Sequence, residues 1–152
     1  MTPAAAAVPV SITGTGLFTP TESISNAELA ASLTASVEKF NAEHADEIAA
    51  GTMAPRDLPD EDFIEKASGI RSRFVMEKSG VLDPDRMRPV LPTRTEDELS
   101  VTAEMALPAI QEALEQAGRR PEDVDAVILG ASNLQRAYPA VAIEIQDALG
   151  AG

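Results

Sequence analysis

The chain contains no cysteine, a single histidine and a single tyrosine, and only 3% of its 152 residues are aromatic. Without a thiol it has no disulfide framework, no thiolate zinc site and no cysteine nucleophile of its own. With so few aromatics, packing falls to alanine and the aliphatic side chains. The hydrophobic content of 44% still allows one domain with a real core, of the kind built by helices laid closely on a sheet. Positive charge is also scarce. Twelve Lys and Arg stand against 25 Asp and Glu, for a formal charge of -13, and so acidic a surface repels nucleic acid and anionic membrane alike. Long apolar runs are absent too. The opening MTPAAAAVPV has no basic n-region and soon alternates with polar residues, so it reads neither as a signal peptide nor as a membrane span. A disordered tail over residues 1–7 and a cytoplasmic protein are the expectations.

Charge is unevenly spread. From Lys66 to Arg94 the chain carries Lys66, Arg71, Arg73, Lys78, Arg86, Arg88 and Arg94 against Glu77, Asp83 and Asp85, which is seven minus three, or +4. Such a run can meet a phosphate or an acidic partner. It can equally be a solvated face laced with internal ion pairs.

Residues 8–18, VPVSITGTGLF, alternate partially and carry β-branched side chains, which predicts a first strand. Gly14 and Gly16 lack the third glycine and the helix that a nucleotide loop requires, and fit a bulge or a close backbone approach better. Ser25 to Glu28 is a capping box opening a helix whose apolar stripe is Leu29, Leu33, Val37 and Phe40, running towards Ala50 before Gly51. His44 lies among Asn41, Glu43, Asp46 and Glu47, which suits an exposed neutral imidazole better than a metal ligand. Asp60, Glu61 and Asp62 favour a short helix through Ala67, then strand alternation resumes over residues 70–76. Residues 77–93 have no sustained period. Thr95 to Glu98 is a second capping box, predicted to open the strongest helix, with Leu99, Ala103, Ala106, Ile110 and Leu114 in its stripe, Pro108 inside it and Gly118 closing it. Residues 124–129, VDAVIL, read as a strand covered on both faces, and Pro139 launches a last helix from Ala140 to Leu149. Helix and strand alternate, so the class is α/β with layered packing.

Four blocks occur in one order: ITGTGLFTP with SISNAEL, then EDFIEKASGIRSRF, then EQAGRRPEDVDAVILGAS, then AYPAVAIEIQDALGAG. In order and character the chain resembles the N-terminal part of β-ketoacyl-acyl carrier protein synthase III, a thiolase-fold family. The resemblance implies a partial thiolase-like layered αβαβα fold over residues 8–152, incomplete without a C-terminal polypeptide, with loops near 34–59 and 77–94 longer than is usual in the family.

Function follows from the same resemblance. Family members condense an acyl thioester with malonyl-acyl carrier protein, using a cysteine at the start of a buried helix together with a histidine and an asparagine. None of that machinery is on this chain, so the resemblance implies no catalytic residue here, a C-terminal polypeptide that supplies the triad, a homodimer of the completed unit, and acyl carrier protein as partner. No metal and no resident cofactor are implied; coenzyme A or phosphopantetheine enters as a substrate thioester. Phe63 stands where the family has a tryptophan that stacks on the coenzyme A adenine, but Ala67 replaces the arginine that clamps it. Arg71 and Arg73 match strand residues near the substrate entrance. Ser132 would line the acyl pocket, Tyr138 would project into the partner's acyl tunnel, and Asn133, Gln135, Arg136 and Tyr138 would form the dimer interface. Ser132 lacks the G-x-S-x-G elbow and a histidine base, which disfavours a nucleophilic role. Two other readings stay open: a non-catalytic binding subunit or adaptor derived from the thiolase fold, and a relative in the same superfamily that acts on other acyl thioesters.

Overall fold

The computed structural model describes residues 9–59 and 61–152. The expected tail at 1–7, together with Val8 and Asp60, lies outside the described residues. The chain divides into two compact units: Thr19–Pro92, and Met1–Phe18 with Thr93–Gly152.

The Thr19–Pro92 unit is organised by the predicted capping box. The Ser25 hydroxyl accepts from the Glu28 amide at 3.2 Å, and Glu28 Oε2 accepts from the Ser25 amide at 3.0 Å, starting helix α1 at Asn26–Glu43. Its buried face is Asn26, Ala30, Ser32 and Val37. Of the predicted stripe only Val37 is buried, because small residues set the contact: Ser32 Oγ donates to the Leu82 carbonyl at 2.8 Å. The helix also stops earlier than expected. His44 leaves helical dihedrals at φ -108° and ψ 20°, and a short helix α2, Ala45–Ala49, follows. His44 is half-buried rather than exposed, since its ring lies 4.5 Å from that of Phe40 and its Nδ1 is 2.5 Å from Glu47 Oε2.

Helix α3, Glu61–Ser68, and the strand at Ser72–Val75 form where the periodicities place them. That strand pairs antiparallel with a strand the sequence reading missed, Glu22–Ser25, in the register Glu22 with Val75, Ser23 with Phe74, Ile24 with Arg73 and Ser25 with Ser72. In chain order these are β1 (Glu22–Ser25) and β2 (Ser72–Val75). Ile24 is fully buried, and Asn26 holds the approach to β2 by donating from Nδ2 to Ile70 O at 2.7 Å and from its amide to Arg71 O at 3.2 Å. Residues 77–93, expected to lack regular structure, contain the single turn α4, Ser79–Leu82. Glu77 organises it, accepting from the amides of Gly80 at 2.9 Å and Val90 at 2.7 Å.

The basic run resolves mostly into ion pairs. Lys66 pairs with Asp62, Arg71 with Glu65, Lys78 with Glu28 and Arg94 with Glu104.

In the other unit, helix α5 spans Val101–Ala117 and carries Pro108 inside it. The start differs from the expected one. Glu98 accepts from the Thr95 amide at 2.7 Å, but the Glu98 amide donates to the Thr95 carbonyl at 3.3 Å and not to its hydroxyl, so half of the box is made and it closes a turn rather than opening a helix. Ser100 is the cap, its hydroxyl accepting from the Ala103 amide at 3.2 Å. Gly118, left-handed at φ 61°, ends α5. After a 3-10 turn at Pro121–Asp123, helix α6 occupies Val141–Leu149 with Ala140 as its cap, one residue inside the predicted start. Ala103, Val141 and Ile145 form the buried core, packed by Leu99, Ala106, Leu107, Ile110, Val127, Leu129 and Leu149.

The strands expected at 8–18 and 124–129 are absent among the described residues. A strand needs a ladder partner, and residues 13–17 give their amides to α5 side chains instead: Thr15 N to Gln116 Oε1 at 2.6 Å and Leu17 N to Glu112 Oε2 at 2.8 Å. The segment lies so close to α5 that a Cβ on Gly14 would sit 2.1 Å from Ala113 O, and one on Gly16 1.8 Å from Ala109 O. The predicted close approach is therefore made, against a helix. Residues 124–129 are covered on one face rather than two: Val127 and Leu129 meet the core while Ile128 is 94% exposed. The α/β class holds in partial form, with few strands.

Candidate functional site

Of the predicted site residues, the structure gathers Ser132, Asn133, Gln135, Arg136 and Tyr138 on the segment between residue 129 and α6. They divide between two kinds of environment. Ser132 and Asn133 line an open recess of ≈ 540 Å³ with Gly16, Leu17, Thr102, Met105 and Ala109. Small side chains make that recess: alanines and glycines leave the room, and Met105 gives it an adaptable apolar wall. Tyr138 is 89% exposed, and its bond to Pro139 is cis. It stands at the rim of a second open recess, of ≈ 500 Å³, with Arg94, Thr95, Glu96, Gln135, Arg136 and Pro139.

Gln135 and Arg136 are engaged within the chain. Gln135 Oε1 accepts from the Val101 amide at 2.8 Å, satisfying one of the free donors at the start of α5. Arg136 donates to Glu96 O at 3.2 Å and Glu98 O at 2.8 Å, and its Nε is 3.5 Å from Glu144 Oε1. Along the same rim Arg94 donates to Leu99 O at 2.8 Å. The Thr95 amide, followed by the Thr95 hydroxyl, holds the Glu98 carboxyl below its usual range. These groups fix the backbone on either side of the recess.

Glu144 was missed by the sequence reading. Its side chain is only 6% exposed, although it belongs to the first turn of α6 and sits between Ile143 and Ile145. Its Oε2 accepts from the Ser100 amide at 2.8 Å. An acid inserted into an otherwise apolar helix start was the available signal, because a buried carboxylate requires a partner.

Phe63, Arg71 and Arg73 belong to the Thr19–Pro92 unit. Phe63 is 64% exposed on α3, an aromatic face open to solvent. Arg71 is exposed and pairs with Glu65 at 2.7 Å. Arg73 faces inward, donating from Nη2 to Asn26 Oδ1 at 2.9 Å, which ties β2 to the start of α1.

The arrangement in the other unit offers one recess walled by small and apolar side chains at Ser132 and a second, polar-lined recess beside a solvent-facing phenol, and can bind and orient. Among the described residues no group of His, Cys, Asp and Glu is placed to hold a metal ion, and no helix is long and apolar enough to cross a membrane. The one histidine belongs to the Thr19–Pro92 unit, so Ser132 has no histidine base within its own unit.

No family model matches the chain. Over 114 residues it is 55% identical to the beta-ketodecanoyl-[acyl-carrier-protein] synthase of Pseudomonas aeruginosa, an alignment covering 75% of this chain and 33% of that protein. It is 30% identical over 101 residues to beta-ketoacyl-[acyl-carrier-protein] synthase III 1 of Bacillus anthracis, covering 66% of this chain and 30% of that protein. The chain thus spans about a third of the length of these curated relatives. A polyketide synthase, PKS-I, from the brown alga Ectocarpus siliculosus aligns structurally over 92% of this chain and 36% of its own, at a TM-score of 0.44 and 17% identity.

Proposed function

The chain is a partial member of the β-ketoacyl-acyl carrier protein synthase III family, matching its N-terminal portion, and on that premise we propose that it supplies the acyl-selecting part of a condensing enzyme whose catalytic cysteine, histidine and asparagine lie outside these 152 residues. In the proposed reaction a cysteine thiolate of that enzyme takes the acyl group from its thioester, releasing the carrier thiol. Malonyl-acyl carrier protein then loses carbon dioxide, and the resulting carbanion forms the new carbon-carbon bond as the cysteine leaves, giving a β-ketoacyl-acyl carrier protein. This chain contributes no group to those bond changes. Its part is to receive the acyl chain beside Ser132 and to present Tyr138, whose exposed ring carries apolar area with a polar tip suited to closing a tunnel in a facing subunit. Asn133 belongs to the same dimer contact.

The observation that carries this reading is the 55% identity over 114 residues to a synthase whose name specifies a β-ketodecanoyl product on acyl carrier protein. Malonyl extension adds two carbons, so that product points to an octanoyl primer. The carrier of the primer follows from Phe63 and Ala67: an exposed aromatic without a neighbouring arginine gives weak purchase on an adenine, which favours an acyl donor other than coenzyme A. Arg71, exposed beside Glu65, would serve the phosphopantetheine arm or the acidic carrier protein, while Arg73, bonded inward to Asn26, would hold the strand that carries it.

The test is reconstitution. The chain is combined with a polypeptide bearing the Cys, His and Asn of a family member, and octanoyl-coenzyme A and octanoyl-acyl carrier protein are offered with malonyl-acyl carrier protein. β-Ketodecanoyl product should form only in the combination. Binding of acyl carrier protein by a lone 16.0 kDa species that never associates with the catalytic polypeptide would replace this reading with the non-catalytic binding subunit.

A further inference from the structure

We propose that Glu144 is a positioning residue for Tyr138, acting through Arg136; this rests on the reading that Tyr138 meets the acyl chain. The two oxygens of the Glu144 side chain have different duties. Oε2 takes the Ser100 amide at 2.8 Å, which locks the cap of α5 to the first turn of α6. Oε1 is buried without a hydrogen-bond partner and lies 3.5 Å from Arg136 Nε. An oxygen withdrawn from water in this way requires a nearby positive charge, and Arg136, with its side chain only 18% exposed, is that charge. Its Nη1 and Nη2 go to the carbonyls of Glu96 and Glu98, so the guanidinium is oriented from both sides.

Arg136 is two residues before Tyr138, and α6 begins three residues after it. The segment carrying the phenol is therefore pinned at both ends by one carboxyl group: at Arg136 through Oε1, and at the start of α6 because Glu144 belongs to that helix. Tyr138 makes no comparable bond of its own, being almost fully exposed. Its placement comes from the anchors that flank it.

The chain has one tyrosine and no tryptophan, so its phenol emission reports on residue 138 alone. In the 152-residue chain, Glu144→Gln and Arg136→Ala should each lower the fluorescence anisotropy of Tyr138. Glu144→Gln should leave α5 protected, since a glutamine oxygen still accepts the Ser100 amide, whereas Glu144→Ala should lose both effects. The double variant should add little to either single one, as expected of partners in one interaction. If Glu144→Ala does not fold, Glu144→Gln and Arg136→Ala decide; parent-like anisotropy in both overturns the proposal. In the reconstituted enzyme, Glu144→Gln should flatten the ratios of kcat/KM across primers of different length instead of lowering all of them equally. If Tyr138→Ala changes those ratios and a loosened Glu144→Gln does not, positioning is refuted. If Tyr138→Ala itself leaves them unchanged, the acyl-pocket reading of Tyr138 falls, while anisotropy still judges the anchoring.

Discussion

The two units put acidic residues to opposite uses. In Thr19–Pro92 the working carboxylates lie at the surface and bind backbone. Glu28 is held down to about 2 by Lys78 first and then by the Ser25 amide and hydroxyl, and Glu77 to about 2 by the Ser79 hydroxyl and the amides of Val90 and Gly80. In residues 93–152 the decisive acid is Glu144, withdrawn from water and set among core residues Val141 and Ile145. One unit is stitched from outside; the other adds to surface stitches at Glu98 and Glu112 a buried polar joint at Glu144. The difference teaches that a net charge of -13 does not dictate how each carboxylate is used.

The contrast breaks most severely at the packed unit. Ile145→Ala removes a 1% exposed side chain from the contact between α5 and α6 and should cost about 2–5 kcal/mol, read in urea unfolding with amide exchange confirming the loss over residues 101–149. A smaller cost confined to residues 19–92 would reverse the assignment of the cores. Ser25→Ala should cost about 1 kcal/mol by removing the acceptor for the Glu28 amide, and should loosen the start of α1 without touching α5. Acid gives the smallest and most local effect. Because Glu28 and Glu77 have folded values depressed from 4.5 to about 2, their contribution is complete above 4.5 and lost as pH falls towards 2. The amide resonances of Gly80 and Val90 should follow that low midpoint, and Glu77→Gln should abolish the step. A midpoint near 4.5 would show that Glu77 does not hold the loop.

Features written in neighbouring residues were legible. Ser25 with Glu28 and the helix after Pro139 rest on contacts spanning a few positions, the strand within 70–76 announces itself by its own alternation, and each forms near its predicted place. What depended on distant partners was not. The start of α5 moved from the Thr95 box to Ser100 because the Ser100 amide is taken by Glu144, 44 positions away. β1 has only Ile24 as an apolar marker and exists through its pairing with β2. At the site, the resemblance named Gln135 and Arg136 for a dimer contact, and both bond within their own unit, through Val101, Glu96, Glu98 and Glu144, partners that no local pattern announces.

Gly14 and Gly16, pressed on the backbone of Ala113 and Ala109, act as a ruler for their segment. The two missing side chains are spaced to meet successive turns of one helix, so sliding the segment by one residue would drive Thr13 or Thr15 into a carbonyl oxygen. A single-residue insertion or deletion between Gly14 and Gly16 would break that spacing, and with both glycines in place the segment docks in one frame.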